Sequence, residues 1–123
     1  MDAVIILWIC VGVVGGVLVG AVPGLTGAMA ISLTVPLTFG MEPTHALALL
    51  VAMYVGAVSG GLITATLLRI PGTPASIITT LDGYPMAKGG RPGRALGLGI
   101  FASLIGGLFS WAILALLAKP LAD

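Results

Sequence analysis

The segment "IPGTPASIITT", residues 70–80, places hydroxyl side chains and two prolines between two long apolar runs. Its hydroxyl-bearing residues are Thr73, Ser76, Thr79 and Thr80. Hydroxyls donate and accept hydrogen bonds without carrying charge, and Pro74 suits the first position of a helix that Thr73 would cap. Such a helix would direct free N–H groups and the positive end of its dipole at an anion. The pattern predicts a site for an anion such as a carboxylate.

A second segment, "PGLTGA" at residues 23–28, repeats this arrangement. Pro23 and Gly24 follow an apolar run, as Pro71 and Gly72 do, and Thr26 supplies the hydroxyl. The shared context indicates an internal repeat, in which each segment could present hydroxyls and backbone donors to an anion. In the alternative interpretation, both segments are helix kinks whose Ser and Thr side chains bond back to their own backbone. The residues themselves leave both interpretations open.

Asp82 follows the second segment and invites two interpretations. Within the membrane it would bind a coupling ion or a proton, because ionisable groups at that depth are usually functional. As the first residue of "DGYP", it would lie in a turn and face cytoplasmic water or pair with Arg69 or Lys88. Pro85 and the basic residues that follow favour the turn.

Enzymatic, metal and cofactor chemistry has little support in this sequence. It holds one histidine and one cysteine, and it lacks a nucleophile elbow or phosphate loop. We interpret Glu42 and His45, which flank Pro43, as an interfacial cap, and Cys10 as a packing residue. A net charge of +1 without a basic face argues against nucleic-acid binding. We expect neither an enzyme nor a metal or cofactor site.

Composition predicts an all-α integral membrane protein. Of the 123 residues, 59% are hydrophobic and 7% are charged, against about 25% charged residues in a soluble domain. Three stretches are apolar and long enough to cross a bilayer core of about 30 Å at about 1.5 Å per residue. We predict transmembrane helices over residues 3–22, 45–68 and 95–118.

The segments between these spans, residues 23–43 and 70–81, are broken by prolines and glycines. Each is interpreted as an interrupted helix or a re-entrant hairpin. Irregular backbone at membrane depth is tolerated only where protein or a water-filled cavity covers it, so both segments should face something polar.

The spacing of small residues predicts which helix faces pack together, and the basic residues predict which side of the membrane a loop faces. Gly12, Gly16 and Gly20 recur every four residues in the first span, a spacing that lets membrane helices pack closely. Similar faces, at Gly56 and Gly60 and from Gly99 to Gly107, suggest further helical partners. A cluster of Lys88, Arg91 and Arg94 predicts that the loop at residues 83–94 is cytoplasmic.

Several motifs together resemble the N-terminal part of the TctA family, the large membrane subunit of the tripartite tricarboxylate transporters. They are "PGLTGA" at 23–28, "PGTP" at 71–74, "DGYPMAK" at 82–88 and "GRALG" at 93–97. The resemblance implies a multi-pass permease of the bacterial inner membrane that transports citrate-like or other small carboxylates. It also implies an extracytoplasmic solute-binding protein, a small membrane subunit, and coupling to a cation such as Na⁺ or H⁺.

On this resemblance, the family's Pro-Gly motifs fall on Pro23, Gly24 and residues 71–74, where the residue chemistry predicts the anion site. Family members are several times longer and have a second half that resembles the first. We therefore expect this chain to be a fragment of a permease or one part of a split protein. The alternative is a small, non-transporting membrane subunit that packs against a larger partner through its glycine faces.

Overall fold

The computed structural model describes residues 2–122, and that part of the chain is helical without strands. Three long helices, α1 (Ala3–Gly20), α3 (Pro43–Leu68) and α5 (Pro92–Ala122), are long and apolar enough to cross a membrane. Two short helices, α2 (Gly27–Thr34) and α4 (Thr79–Lys88), alternate with them. Single 3-10 turns occupy Val35–Thr38 and Pro74–Ser76. The predicted all-α class with three spans and two interrupted segments is confirmed.

Backbone contact joins α1 and α3, which run parallel. A Cβ atom added to Gly12 would lie 2.7 Å from the Leu49 carbonyl oxygen, and one added to Gly20 would overlap the Ala57 carbonyl. Because lipid tails give helices no hydrophobic reason to associate, such close approach supplies the attraction through dispersion. The predicted glycine face of α1 is therefore a helix contact. In the predicted face of α5, Gly99 packs on α3, where an added Cβ would lie 2.9 Å from Cδ2 of Leu62, whereas Gly107 has no atom within 4 Å of its Cβ position.

The first interrupted segment folds back along α3. Gly12 lies level with Leu49 on α3, and Gly20 lies level with Ala57, so α1 and α3 begin at similar heights. The chain then turns, and α2 starts with Gly27 against Tyr54. The short helix and its 3-10 turn lead down to the start of α3. The segment at 23–43 is thus the returning arm of a helical hairpin.

The second interrupted segment also folds back, from the other end of α3. Arg69 ends this helix in a left-handed conformation with φ of 59°, and the chain reverses. Gly72 then packs beside α3, where an added Cβ would lie 2.8 Å from the Gly61 Cα. From there α4 returns along α3, with Gly83 beside Thr66. After a short connection, α5 runs down past α4.

Two expectations for this region are wrong. "DGYP" does not form a turn, because residues 82–85 lie within α4. The loop expected at 83–94 is reduced to the connection at 89–91, since α5 begins at Pro92. The physical reason is tertiary: α4 is held between α3 and α5, and an added Cβ at Gly83 would lie only 3.2 Å from the Thr66 hydroxyl oxygen. Such packing overrides local turn propensity.

Candidate functional site

The two Pro-Gly segments meet beside α3. An added Cβ on Gly72 would lie 2.6 Å from the Gly20 carbonyl oxygen at the end of α1. Two grooves open on either side of the second segment. The first, the α2 groove, has a volume of ≈ 410 Å³ and is lined by Thr26, Ala28, Tyr54, Thr73, Pro74 and Ala75 among others. The second, the α5 groove, has a volume of ≈ 320 Å³ and includes Ser59, Thr73, Ser76, Thr79 and Ser103. All the side chains that line them are uncharged.

The height of this meeting point along α3 determines its depth in a bilayer that α3 crosses. With 26 residues, α3 is about 39 Å long, which exceeds a hydrocarbon core of about 30 Å. Gly61, which contacts Thr73, lies about 8 Å beyond the midpoint of this helix. With α3 centred in the bilayer, both grooves lie inside the hydrocarbon region, where irregular backbone requires a polar environment.

Thr26 caps α2 and keeps its hydroxyl proton available. Its Oγ1 accepts a hydrogen bond from the Met29 amide at 3.3 Å, while Ala30 donates its amide to the Thr26 carbonyl. The amides of Gly27 and Ala28, in the first turn, have no partner within a helix. The beginning of α2 therefore presents a hydroxyl and backbone donors toward the α2 groove.

Thr73 and Ser76 hold the second segment in shape through a reciprocal cap. The Ser76 hydroxyl donates to the Thr73 carbonyl at 2.8 Å and accepts from the Thr73 amide at 3.2 Å. Both side chains are buried, with 6% and 4% of their surfaces exposed. The two hydroxyl oxygens are 3.4 Å apart, which is too long for a strong bond. Ser76 is thus occupied, whereas Thr73 retains capacity for a further partner and lines both grooves.

Of the two remaining hydroxyls, that of Thr80 bonds to the backbone and that of Thr79 does not. Thr80 donates to the Ile77 carbonyl at 2.6 Å, as expected for a hydroxyl that stabilises a local turn. Thr79 lines the α5 groove, and the described residues provide no hydrogen-bond partner for its hydroxyl. Ser76 and Thr80 thus bond back to the backbone, as the kink interpretation expects. The hydroxyls of Thr26, Thr73 and Thr79 remain able to donate to a ligand.

The expected helix at Pro74 is shorter than the anion-site hypothesis requires. Pro74–Ser76 form a single 3-10 turn, and α4 begins only at Thr79. A turn of three residues has too few aligned peptides for a substantial dipole. An electrostatic contribution of that kind has to come from the N-terminus of α2, which has eight residues, or from that of α4, which has ten and begins at Thr79 beside the α5 groove.

Pro23, Gly24 and Pro71 shape the chain rather than line the grooves. Pro23 and Gly24 are exposed, and Gly24 has a φ of 95° with open space around its Cβ position. Glycine suits this conformation because it has no Cβ to clash. Pro71 is also exposed. Pro74, by contrast, lines the α2 groove.

Asp82 lies apart from the two grooves. It is exposed in the first turn of α4 and lines a third groove, of ≈ 350 Å³, between α4 and α5. Of the two environments that the turn interpretation allowed, pairing with Arg69 or Lys88 does not occur within residues 2–122, where the one acid–base contact joins His45 Nδ1 and Glu42 at 3.6 Å. The Arg69 guanidinium instead lies 5.7 Å from the centre of the Tyr84 ring, within cation–π range.

Sequence reasoning missed three polar groups near the site. Tyr54 and Ser59 line the grooves from α3; the signal for Tyr54 was its place in mid-span, because tyrosines of membrane helices concentrate at the interfaces. Thr66 is fully buried at the contact of α3 with α4, and its hydroxyl has no partner in the described part of the chain. Nothing in the local sequence distinguishes Thr66 from its neighbour Thr64.

Comparison with known proteins gives two matches. Residues 6–123 match the sequence profile described as "Tripartite tricarboxylate transporter TctA family". The chain is also 41% identical over 118 residues to the "Uncharacterized 52.8 kDa protein in TAR-I ttuC' 3'region" of Agrobacterium vitis. This match covers 96% of the chain and 24% of the relative, so the chain spans about a quarter of that protein's length. No solved structure matches the chain.

Proposed function

Since this chain belongs to the tripartite tricarboxylate transporter TctA family, we propose that it forms the N-terminal part of a permease that moves small carboxylates across the bacterial inner membrane. The remaining part of the permease would come from sequence that corresponds to the rest of the longer relative. A solute-binding protein would deliver the substrate from outside the cytoplasm, and a small membrane subunit would accompany the permease. Lys88, Arg91 and Arg94 support a cytoplasmic position for the connection at 89–91.

The observation that carries this proposal is the meeting of two interrupted segments at membrane depth beside grooves with hydroxyl lining. Interrupted helices that present unpaired backbone groups to a cavity are how many secondary transporters bind solutes near the bilayer midplane. In this chain, the substrate carboxylate would accept hydrogen bonds from Thr26, Thr73 and the first amides of α2. Thr79 would contact the substrate from the α5 groove, and Ser76 and Thr80 would support the binding geometry.

Charge balance supports cotransport with a cation. An unpaired carboxylate is costly in a low-dielectric interior, and no Lys or Arg lines either groove. A cotransported Na⁺ or H⁺ would offset part of this cost. Asp82, exposed beside Thr79 in the third groove, remains the proposed coupling residue of this chain.

The substitution Thr73→Val tests the site in the complete transporter. Valine keeps the shape of threonine and removes the hydroxyl that both grooves share. We expect carboxylate uptake into cells or proteoliposomes to fall at least about tenfold, the loss typical of one hydrogen bond to a charged group. Permease abundance in the membrane, measured by immunoblot, should remain close to the wild-type level.

Thr38→Val is the matched control, because the Thr38 hydroxyl bonds back to the Val35 carbonyl at 2.7 Å and lines neither groove. This variant should transport normally. Wild-type uptake by Thr73→Val would exclude the assigned site. Equal losses in both variants would show that any threonine-to-valine change disturbs the permease. That result would also count against the assigned site.

A second candidate function is a non-transporting subunit, and the exposure of α5 favours it. Every described side chain from residue 100 to 121 is exposed, so most of this helix is not covered by the rest of the described chain. A docking subunit would tolerate Thr73→Val. It would instead lose its partner in co-purification when Gly107 is replaced by leucine.

A further inference from the structure

We propose that Tyr54 is a substrate-recognition residue, whose phenolic O–H donates a hydrogen bond to the carboxylate held in the α2 groove. This inference rests on the proposed function and extends it to a residue outside both Pro-Gly motifs. Tyr54 lines the same groove as Thr26 and Thr73, but it approaches from α3. The substrate would thereby be held between three chain segments.

The position of Tyr54 is unusual for a packing aromatic. It is the twelfth residue of α3, about 2 Å from the helix midpoint, whereas tyrosines of membrane helices concentrate near the interfaces. Tyr54 is 49% exposed, and at this depth a phenolic hydroxyl that faces hydrocarbon is unfavourable, whereas one that faces a polar ligand or water in the groove is not. No hydrogen-bond partner for this hydroxyl occurs among the described residues. A groove that holds a polar ligand would supply one.

The neighbouring helix is shaped to receive the ring. An added Cβ on Gly27 would lie 2.9 Å from Cδ2 of Tyr54 and 3.0 Å from Cε2. Contacts under about 3 Å are repulsive, so a glycine permits the ring to rest on the first turn of α2. Gly27 directly follows Thr26, the cap residue. The same contact therefore places the ring beside the free donors of that turn.

The chemistry of a phenol suits this groove. It is a neutral donor, and its hydrogen bond to a carboxylate is about twice as strong as one between neutral groups. Its ring also forms an apolar wall that can contact the carbon skeleton of the substrate. Tyr54 would thus contribute both a donor and a limit on substrate width.

Tyr54→Phe separates the hydroxyl from the ring. The experiment uses the complete purified permease and measures calorimetric binding of acetate, succinate and citrate, which carry one, two and three carboxylates. For whichever of these the wild type binds, we expect the Kd of Tyr54→Phe to rise about 10- to 100-fold. Tyr84→Phe is the matched control, since Tyr84 lies outside the α2 groove, and its Kd should be unchanged.

Gly27→Ala provides a second variant that moves the ring without removing its hydroxyl. It should weaken binding, and its effect should not add fully to that of Tyr54→Phe, because each variant would remove the hydrogen bond from the phenolic O–H to the carboxylate. A wild-type Kd in Tyr54→Phe, with Thr73→Val still defective, would overturn the role of Tyr54 and leave the transport site intact. If the wild-type permease neither binds nor transports any of the three acids, the proposed function and this inference both fail.

Discussion

At the residue scale, Gly72 determines how closely the second Pro-Gly segment docks on the molecule. An alanine Cβ there would lie 2.6 Å from the Gly20 carbonyl oxygen and 2.8 Å from the Gly61 Cα. These are backbone atoms, which cannot rotate away. We therefore expect Gly72→Ala to destabilise the docked segment by about 1–3 kcal/mol, the usual range for overpacking.

Thermal unfolding of the detergent-solubilised permease measures this effect. Gly93→Ala is the control, because no atom lies within 4 Å of that Cβ position at the start of α5. It should leave the melting temperature unchanged or raise it, since alanine favours helix over glycine by up to about 1 kcal/mol. If the two variants have the same melting temperature, the close approach at Gly72 contributes no stability.

The candidate site also shows where sequence reasoning at single residues stops. Residue types and the Pro-Gly pattern were sufficient to select Thr26, Thr73 and Thr79, which line the two grooves. They were insufficient to tell Thr79 from Thr80, because the difference lies in whether a backbone carbonyl is within reach of each hydroxyl. Thr80 donates to Ile77, and this depends on the local backbone angles rather than on the residue type.

At the element scale, the contact of α1 with α3 depends on particular glycines rather than on glycine content. Gly16 and Gly15 are neighbours with different surroundings. A Cβ on Gly16 would overlap the Met53 carbonyl and approach the Ala57 amide nitrogen to 2.8 Å, whereas one on Gly15 would meet only the flexible end of Met53, with Cε at 3.3 Å. Gly16→Ala should therefore separate the two helices, and Gly15→Ala should be tolerated.

The measurement is the yield of folded, monodisperse permease in size-exclusion chromatography, with melting temperature as a second readout. We expect a clear loss of both for Gly16→Ala, because the lost close packing is the main attraction between membrane helices. The free energy of unfolding of Gly15→Ala should lie within about 0.5 kcal/mol of the wild-type value. A stable Gly16→Ala variant would contradict the parallel backbone contact.

The helices themselves were predictable to differing degrees. Apolar length gave the three spans, since crossing a bilayer requires about 20 such residues. It did not give α4, because "DGYP" has strong local turn character. Its helical form is supported by the packing of Gly83 against Thr66. These residues are far apart in the sequence, and no local pattern predicts their contact.

At the scale of the whole molecule, two hairpins approach the same point from opposite ends of α3. The arm formed by α1 and α2 turns level with Ala57, and the arm that begins at Arg69 turns beside Gly61. Local patterns marked each Pro-Gly segment separately. Their meeting could not be predicted, because it depends on the relative heights of α1 and α3, which the glycine contacts set. Only the assembled fold makes one site from two motifs.

This arrangement predicts which residues water reaches within the membrane. Ala75 lines both grooves, so Ala75→Cys in a cysteine-free permease, with Cys10 replaced by alanine, should react with a membrane-impermeant thiol reagent. Leu116→Cys is the control: Leu116 is 79% exposed on the apolar face of α5, where lipid or protein would exclude such a reagent. Labelling is read from the mass shift of the intact protein in sealed vesicles.

Transported substrate should slow the reaction at Ala75→Cys, because carboxylate and reagent would occupy the same space. Citrate and succinate at saturating concentration are the probes, and sulfate at equal ionic strength distinguishes occupancy from salt screening. Protection by a carboxylate but not by sulfate would support a water-accessible anion site between the hairpins. An unreactive Ala75→Cys would instead mean that protein or lipid seals the grooves, and backbone donors there could not receive a solute from water.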